Sequence, residues 1–182
     1  LLQVMHLWQK RGLEFRFKPD NSLRLYLPPE TVEFFRDALH LLHLSKMRYN
    51  LHLKPIREGD FYRDENVKVS AVRNSHIREG SSFSFSISHR DKRIVYTGDL
   101  GKPVEALLLL DDYTDLLIVE CAHFSPEELF EALKNKIENL GRVIVTHIHP
   151  SLYGRERSIL EAASRILGSE IIVAKDYLQV TL

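Results

Sequence analysis

The first third of the chain combines two hydrophobic spacings. Apolar residues over positions 1–8 recur at helical spacing, which predicts a short amphipathic helix that ends near Gly12. Leucines alternate with other residues over 22–27, which predicts a strand that the following pair of prolines ends. A second helix is predicted to begin near Glu30. Its buried face is expected to hold Phe34, Phe35, Ala38, Leu39 and Leu42.

From residue 66 onward the pattern is first that of strands and then that of strands alternating with helices. Period-two alternation predicts three successive strands, over 67–72, 83–87 and 93–96. Later segments are predicted in this order: helix 104–110, strand 115–120, helix 126–140, strand 142–146, helix 155–167 and strand 171–174. Antiparallel strands followed by alternating strands and helices predict an α/β (α+β) sandwich with its helices outside the sheets.

The chain contains no internal repeat, low-complexity segment or linker, so a single domain is predicted over 1–182. It opens at Leu1 without a methionine, and apolar residues crowd its first positions. We therefore expect this domain to be incomplete at its N-terminus.

Charge and composition narrow the classes of partner. The 182 residues carry 25 Lys+Arg and 25 Asp+Glu, so no net field attracts nucleic acid or an anionic membrane. No apolar run approaches the roughly 20 residues that span a bilayer, and no secretory leader is visible, so no membrane partner is expected. The single cysteine, Cys121, excludes an internal disulfide framework and a multi-cysteine zinc site. Its isolation is typical of a cytoplasmic protein.

The nine histidines fall into two groups. Five lie in amphipathic patterns or in a polar turn and are interpreted as surface or packing residues: His6, His40, His43, His52 and His89. The others follow predicted strands, as does one aspartate, and strand ends are where α/β folds collect their functional groups. These candidates are His76, Asp99, His123, His147 and His149.

Two of the strand ends have patterns that suit a divalent metal. Gly98 lets the chain turn sharply after its strand and projects the Asp99 carboxylate past the sheet edge, where it either binds metal or caps the next turn. His147 and His149 are two residues apart, so extended geometry would point both rings to one side. Paired imidazoles suit zinc, although one or both rings could instead be structural. His76 is a weaker candidate by itself.

From about residue 67 to the C-terminus, the chain resembles the later part of a metallo-β-lactamase-fold hydrolase, most closely the ribonuclease Z-like branch. The resemblance rests on a strand-end histidine (His76), a hairpin that leads to Gly98-Asp99, the strand over 115–120, and Val-Thr-His147, in that order. It implies an αββα sandwich, here truncated at its N-terminus.

The resemblance also implies a site with two divalent metal ions, usually zinc. His76 would be the middle histidine, Asp99 the bridging aspartate that touches both ions, and His147 the late histidine. The family's early His-x-His-x-Asp-His loop has no counterpart, although the opening residues resemble the helix that follows it. We therefore expect this exact chain to be inactive.

For the intact parent, the implied activity is metal-assisted hydrolysis, with Asp99 and His123 as the catalytic candidates. His123 would act as a proton donor to the leaving group or as a partner of a ligand. Glu120 and His149 would support the ligands or contact the substrate.

The sequence leaves several functions open. A small phosphodiester or another ester is the favoured substrate, a thioester or lactone is the alternative, and RNA receives no support from the charge. A metal-free relic of the fold that serves as a binding or scaffold module is the competing class, but retention of all three matched ligands argues against it. Binding of nucleic acid without catalysis would rest on a few dispersed cations: Lys46, Arg48, Lys54 and Arg57. A homodimer is kept as an alternative to a monomer.

Overall fold

A computed structural model describes residues 22–44 and 50–182 of the chain. Contacts divide it into two units, with the boundary between Ile56 and Arg57, and each unit is described by itself. The helix predicted over 1–8, together with Lys46 and Arg48, lies outside the described residues. A single domain over 1–182 stays a prediction.

The first unit is a strand–helix–strand arrangement. Strand β1 (Ser22–Leu27) pairs in parallel with strand β2 (Asn50–Pro55), and helix α1 (Thr31–Leu41) lies between them in sequence. The sequence predicts β1 and α1, but β2 was missed. Its alternating leucines, Leu51 and Leu53, lie in a stretch that was interpreted only by its basic charge.

Helix α1 buries a different face from the predicted one. Val32 and Leu39 are buried, whereas Phe34 is 75% and Leu42 is 59% exposed. Val32 and Leu39 are two helical turns apart and therefore share one stripe, while Phe34 is rotated about 200° from Val32 onto the opposite side. The prediction that Phe34 and Leu42 lie on the buried face was wrong.

The second unit is built on a seven-stranded sheet with the strands in sequence order. The first four strands are antiparallel and the last four are parallel, β6 belonging to both sets. The strands are β3 (Gly59–Arg63), β4 (Val67–Asn74), β5 (Ser82–His89), β6 (Lys92–Tyr96), β7 (Thr114–Cys121), β8 (Leu140–Ile148) and β9 (Ile172–Val173). The predicted succession of antiparallel and then alternating elements is confirmed, with β3 as a strand that the sequence did not reveal.

The helices of this unit are shorter than predicted. A 3-10 helix (Pro103–Leu107) stands where an α-helix over 104–110 was expected, and the apolar run that suggested it leaves Val104 and Leu108 exposed. Helix α2 (Pro126–Leu133) continues into a 3-10 helix (Lys134–Asn139). That segment contains two asparagines, whose side chains compete for backbone hydrogen bonds and so disfavour α-helix. Helix α3 (Glu156–Leu167) matches its prediction. In the part of the chain that the structure describes, no helix is long and apolar enough to cross a bilayer.

The core of the second unit joins the sheet to α2 and α3. Fully buried side chains of β7 and β8 meet those of the two helices in one cluster, among them Leu117, Val145, Phe130 and Ile159. Leu116 and Leu117 are consecutive in β7 and both buried, as expected for a parallel strand that is covered on both faces. The buried core fixes the positions of the strand ends.

Five strands of the sheet run in the same direction. Strand β5 is antiparallel to both of its neighbours, so β4 has the same direction as β6, β7, β8 and β9. Their carboxyl ends therefore meet at one edge of the sheet, as expected for the functional end of such folds.

Asp115 gives this unit a pH-dependent stability. Its carboxylate accepts hydrogen bonds from the Arg93 backbone N–H (2.9 Å) and from Lys92 Nζ (3.0 Å), and these lower the pKa of Asp115, the backbone bond having the larger effect. A carboxyl group whose pKa is lowered in the folded state stabilises the fold when the pH is above the ordinary aspartate pKa of about 3.9. This stabilisation is lost as the pH falls through the lower pKa of the folded state. We expect Asp115→Asn to lower the urea midpoint at pH 7 and to differ less from wild type near pH 3. An equal difference at both pH values would contradict this account.

Candidate metal centre

The candidate side chains collect at the shared edge of the sheet. His76 follows β4, Asp99 follows β6, His123 follows β7, and His147 lies at the end of β8. The sequence predicts that these residues follow strands, and the direction of the strands brings them to one place. Loops at strand ends are the usual positions for such groups.

Asp99 is the centre of this cluster. Its Oδ2 atom lies 3.7 Å from His76 Nε2 and 3.6 Å from His147 Nε2. The His123 ring lies near both of the other rings, with its centroid 4.6 Å from that of His76 and 5.6 Å from that of His147. All four side chains are at least partly exposed to solvent, so a small ion or substrate can reach them.

Gly98 sets the direction of the Asp99 loop. Its φ of +59° is left-handed, and a Cβ atom built on it would lie 3.1 Å from the Phe83 carbonyl oxygen. Glycine adopts this conformation without the steric cost of a side chain. The buried Thr97 donates from Oγ1 to the Gly98 carbonyl at 2.8 Å, which further fixes the turn.

A β-bulge places His147. The pairing of β7 with β8 passes from Glu120–Thr146 to Cys121–Ile148, so His147 is the extra residue, with a left-handed φ of +44°. Bulges re-aim a side chain next to a site. The extended geometry predicted for this segment was therefore wrong. The Nδ1 atom of His149 lies 2.8 Å from Ser151 Oγ and accepts a bond from Ser151 N.

The strain at His147 yields a testable difference between two variants. Left-handed backbone costs a non-glycine residue about 1–2 kcal/mol, which exceeds the entropy cost of glycine of about 0.5–1 kcal/mol. We expect His147→Gly to be more stable than His147→Ala by roughly 0.5–1 kcal/mol in urea unfolding of the metal-free chain. Both variants lack the imidazole, so both should weaken Zn²⁺ binding alike. Greater stability of the alanine variant would contradict strain at this position.

Glu120 orients His123. This carboxylate is only 1% exposed, and its Oε1 lies 2.7 Å from His123 Nδ1. Because a carboxylate accepts and does not donate, the tautomer with its proton on Nδ1 satisfies this contact, and in the neutral ring it leaves the Nε2 lone pair free. Glu120 also accepts bonds from the backbone N–H groups of Leu100 and Ala122 at 2.8 and 2.7 Å. The same side chain thus supports both His123 and the loop that follows Asp99.

Sequence reasoning missed Glu105, which lies beside this loop and accepts a bond from Ser75 N at 2.9 Å. The signal for it was local, because proline at the first position of a helix with glutamate two residues later is typical of a helix start. That signal predicts a cap. It does not reveal the contact with a residue 30 positions away.

Cys121 lies beside the cluster without belonging to it. Burial raises the pKa of its thiol to about 12, and the neighbouring Glu120 charge adds to the effect. Its sulfur lies 3.7 Å from the Phe124 carbonyl. A thiol with such a pKa stays protonated near neutral pH and is a poor nucleophile. Its prediction as a small buried residue is confirmed.

The donor set fits a divalent metal ion. Each of His76, Asp99 and His123 offers one ligand atom, and these atoms lie within 4.8 Å of one another. Two ligand atoms held tetrahedrally at the usual zinc distances are about 3.3 Å apart. The distances from Asp99 Oδ2 to His76 Nε2 and His147 Nε2, 3.7 and 3.6 Å, are only a few tenths of an ångström longer. Two imidazoles with a carboxylate are a common zinc set. His147 adds a further nitrogen, 3.6 Å from Asp99 Oδ2.

An open cleft of about 410 Å³ adjoins the cluster. It is lined by residues of the segments 122–126 and 149–152, so that His123 faces both the cleft and the cluster. Among the described residues that line it, Phe124, Pro126 and Leu152 are apolar, and none is Lys, Arg, Asp or Glu. The cleft suits a small and largely uncharged group.

Comparison with solved structures establishes the fold. The chain superposes on the metallo-β-lactamase fold protein YhfI from Bacillus subtilis with a TM-score of 0.72 at 15% identity, over 96% of this chain and 68% of that one. Human tRNase Z, short form, gives 0.62 at 18% identity, over 93% and 70%. Zn²⁺-bound PqqB from Methylobacterium extorquens gives 0.62 at 16%, over 88% and 65%. No known family description and no curated protein matches the sequence. The predicted fold class is confirmed.

Proposed function

We propose that this chain, which has the metallo-β-lactamase fold, belongs to a metal-dependent hydrolase that acts on a phosphodiester or another ester. One observation carries the proposal: Asp99 Oδ2 lies 3.7 Å from His76 Nε2 and 3.6 Å from His147 Nε2. A carboxylate between two imidazoles from separate strands is suited to bridge two ions. The site would hold two divalent ions, with zinc favoured by the nitrogen and oxygen donors.

Each side chain has a role that follows from its place. Asp99 would touch both ions, and His76 and His147 would each hold one. When bound, such ions lower the pKa of water and polarise the bond under attack. His123 presents Nε2 to the same space, because Glu120 holds its Nδ1. In this tautomer Nε2 can serve as a ligand, or it can carry a proton to the leaving group.

The cleft supports a small substrate. Its volume of about 410 Å³, and the absence of Lys, Arg, Asp and Glu among the described residues that line it, suit the non-reacting group of a small ester or phosphodiester. A polynucleotide would need phosphate contacts from lysine or arginine, and the described residues that line the cleft provide none. The proposal therefore departs from the substrate that the name of human tRNase Z gives for that protein. Thioesters and lactones remain the alternative substrate class.

Cobalt and zinc titrations of the 182-residue chain test the site. We expect saturable binding of Co²⁺, with displacement by Zn²⁺, and loss of binding in a His76→Ala, His147→Ala double variant. His52→Ala is the control, since this exposed histidine lies on β2 in the other unit. Absence of metal binding both by this chain and by the protein expressed with the coding sequence before Leu1 would overturn the proposal and favour a metal-free binding module.

Hydrolysis is tested on the protein expressed with whatever coding sequence precedes Leu1. The substrates are bis(p-nitrophenyl) phosphate, p-nitrophenyl acetate, an acyl thioester and an N-acyl lactone. We expect turnover of the phosphodiester or the acetate that a chelator abolishes and added zinc restores. Turnover of the thioester or lactone alone would move the proposal to that substrate class.

A further inference from the structure

We infer that Glu105 is a positioning residue of this site, because its carboxylate fastens the loop that carries His76 to the loop that carries Asp99. The inference rests on the proposed metal-binding function, which it deepens. Glu105 is not among the ligand candidates, and it acts through the backbone on either side of them.

The hydrogen bonds of Glu105 reach both loops. Oε1 accepts from Ser75 N at 2.9 Å, directly before His76. Oε2 accepts from Gly101 N at 2.9 Å and from Lys102 N at 3.1 Å, shortly after Asp99. Bonds from N–H groups to a charged acceptor are stronger than those between neutral groups. One carboxylate therefore spans the gap between two ligand-bearing segments.

Helix capping explains only part of this arrangement. Glu105 is the third residue of its 3-10 helix and bonds back to Lys102 N, as in a capping box. The bond to Ser75 N joins residues 30 positions apart and is not part of any cap. Glu128 offers a comparison, because in the capping box of α2 it bonds back to Ser125, three residues away.

The packing of Gly101 is a second observation that the two loops are closely docked. A Cβ atom built on Gly101 would lie 2.3 Å from Ser75 Oγ and 2.7 Å from the Ser75 carbonyl carbon. Only a residue without a side chain allows this approach. The backbones thus touch where Glu105 bridges them, next to the 3.7 Å separation of His76 Nε2 and Asp99 Oδ2.

Loss of one acceptor oxygen should therefore loosen the site. In Glu105→Gln, the amide keeps one acceptor oxygen and replaces the other by an NH₂ group. An NH₂ group cannot accept a hydrogen bond, so the backbone N–H donors on that side lose their acceptor. Side chains that support metal ligands typically change metal affinity by about 10–100-fold when they are replaced. We expect Glu105→Gln to weaken Co²⁺ and Zn²⁺ binding at least about 10-fold.

The experiment measures the metal Kd and the urea midpoint of the metal-free chain for each variant. Glu128→Gln is the matched control, because it changes a capping-box glutamate of α2 and is expected to leave the Kd unchanged. Gly101→Ala is the second test, in which the new methyl group pushes on Ser75 without touching the carboxylate. We expect it to raise the Kd as well, and it keeps the inference testable if Glu105→Gln does not fold.

The outcomes separate the two proposals. If the wild-type chain binds metal and a folded Glu105→Gln binds it equally well, Glu105 is only a cap and the inference is overturned. If Glu128→Gln raises the Kd to the same extent, the effect is one of general stability, which also overturns the inference. If neither the wild-type chain nor the longer protein of the hydrolysis test binds metal, the proposed function itself fails.

Discussion

Asp99→Ala is expected to weaken Zn²⁺ or Co²⁺ binding at least about 100-fold, the upper end of the effects seen when a residue that merely supports a ligand is replaced. Asp99 offers the carboxylate oxygen that faces both His76 and His147, at 3.7 and 3.6 Å. Its removal takes away the negative charge of the cluster and leaves imidazoles, which repel one another once protonated. Competition with a chromophoric chelator at pH 7.5 measures the change.

Asp91→Ala is the control for this prediction. Asp91 is an exposed aspartate in the turn between β5 and β6, at the opposite end of β6 from Asp99. It removes the same charge from the chain, so it separates a local effect from a change in net charge. Equal loss of metal affinity in the two variants would show that Asp99 is not a ligand.

Glu120→Ala is expected to lower the free energy of unfolding by at least about 3 kcal/mol, because it removes the one acceptor that several N–H groups share. The carboxylate is 1% exposed and accepts bonds from Leu100 N, Ala122 N and His123 Nδ1. Alanine would leave these donors without an acceptor, and each buried unpaired donor costs about 1–3 kcal/mol. Urea unfolding of the metal-free chain measures the loss.

Two comparison variants test whether burial and charge explain the effect of replacing Glu120. Glu138→Ala removes an exposed glutamate from the 3-10 helix Lys134–Asn139 and is expected to change stability by less than about 0.5 kcal/mol. Glu120→Gln keeps an oxygen for His123 and should lose less stability than Glu120→Ala. A Glu120→Ala variant as stable as Glu138→Ala would contradict the structural role of this carboxylate.

The sequence predicted the parts of the fold whose patterns are local. Strands β4 to β8 have either period-two alternation or a continuous apolar run, and α3 has a clear amphipathic stripe. Strand β3 was missed because its two aromatic residues, Phe61 and Tyr62, are adjacent and do not alternate. Its pairing with β4, through an irregular register, determines it as a strand. Such pairing is a long-range property that one segment does not encode.

The candidate site also combines residues that local patterns indicate with contacts that only the folded chain shows. His76, Asp99 and His147 were chosen as candidates from their strand ends, and the structure shows that the shared direction of the strands brings them together. The place of His147 depends on a bulge that arises from the pairing of β7 with β8. The orientation of His123 depends on contact with Glu120, and the contact of Glu105 with Ser75 joins distant segments. These features follow from packing and not from spacing in the sequence.

The burial of Cys121 makes this chain convenient for site-specific labelling. It is the one cysteine among 182 residues, and its thiol, with a pKa raised to about 12, is shielded from maleimide reagents at neutral pH. A cysteine introduced at Asp91, in the exposed turn far along β6 from the ligand cluster, would be the sole reactive thiol. A fluorescent or paramagnetic probe can therefore be attached at that end of the sheet while the native sulfur stays in place.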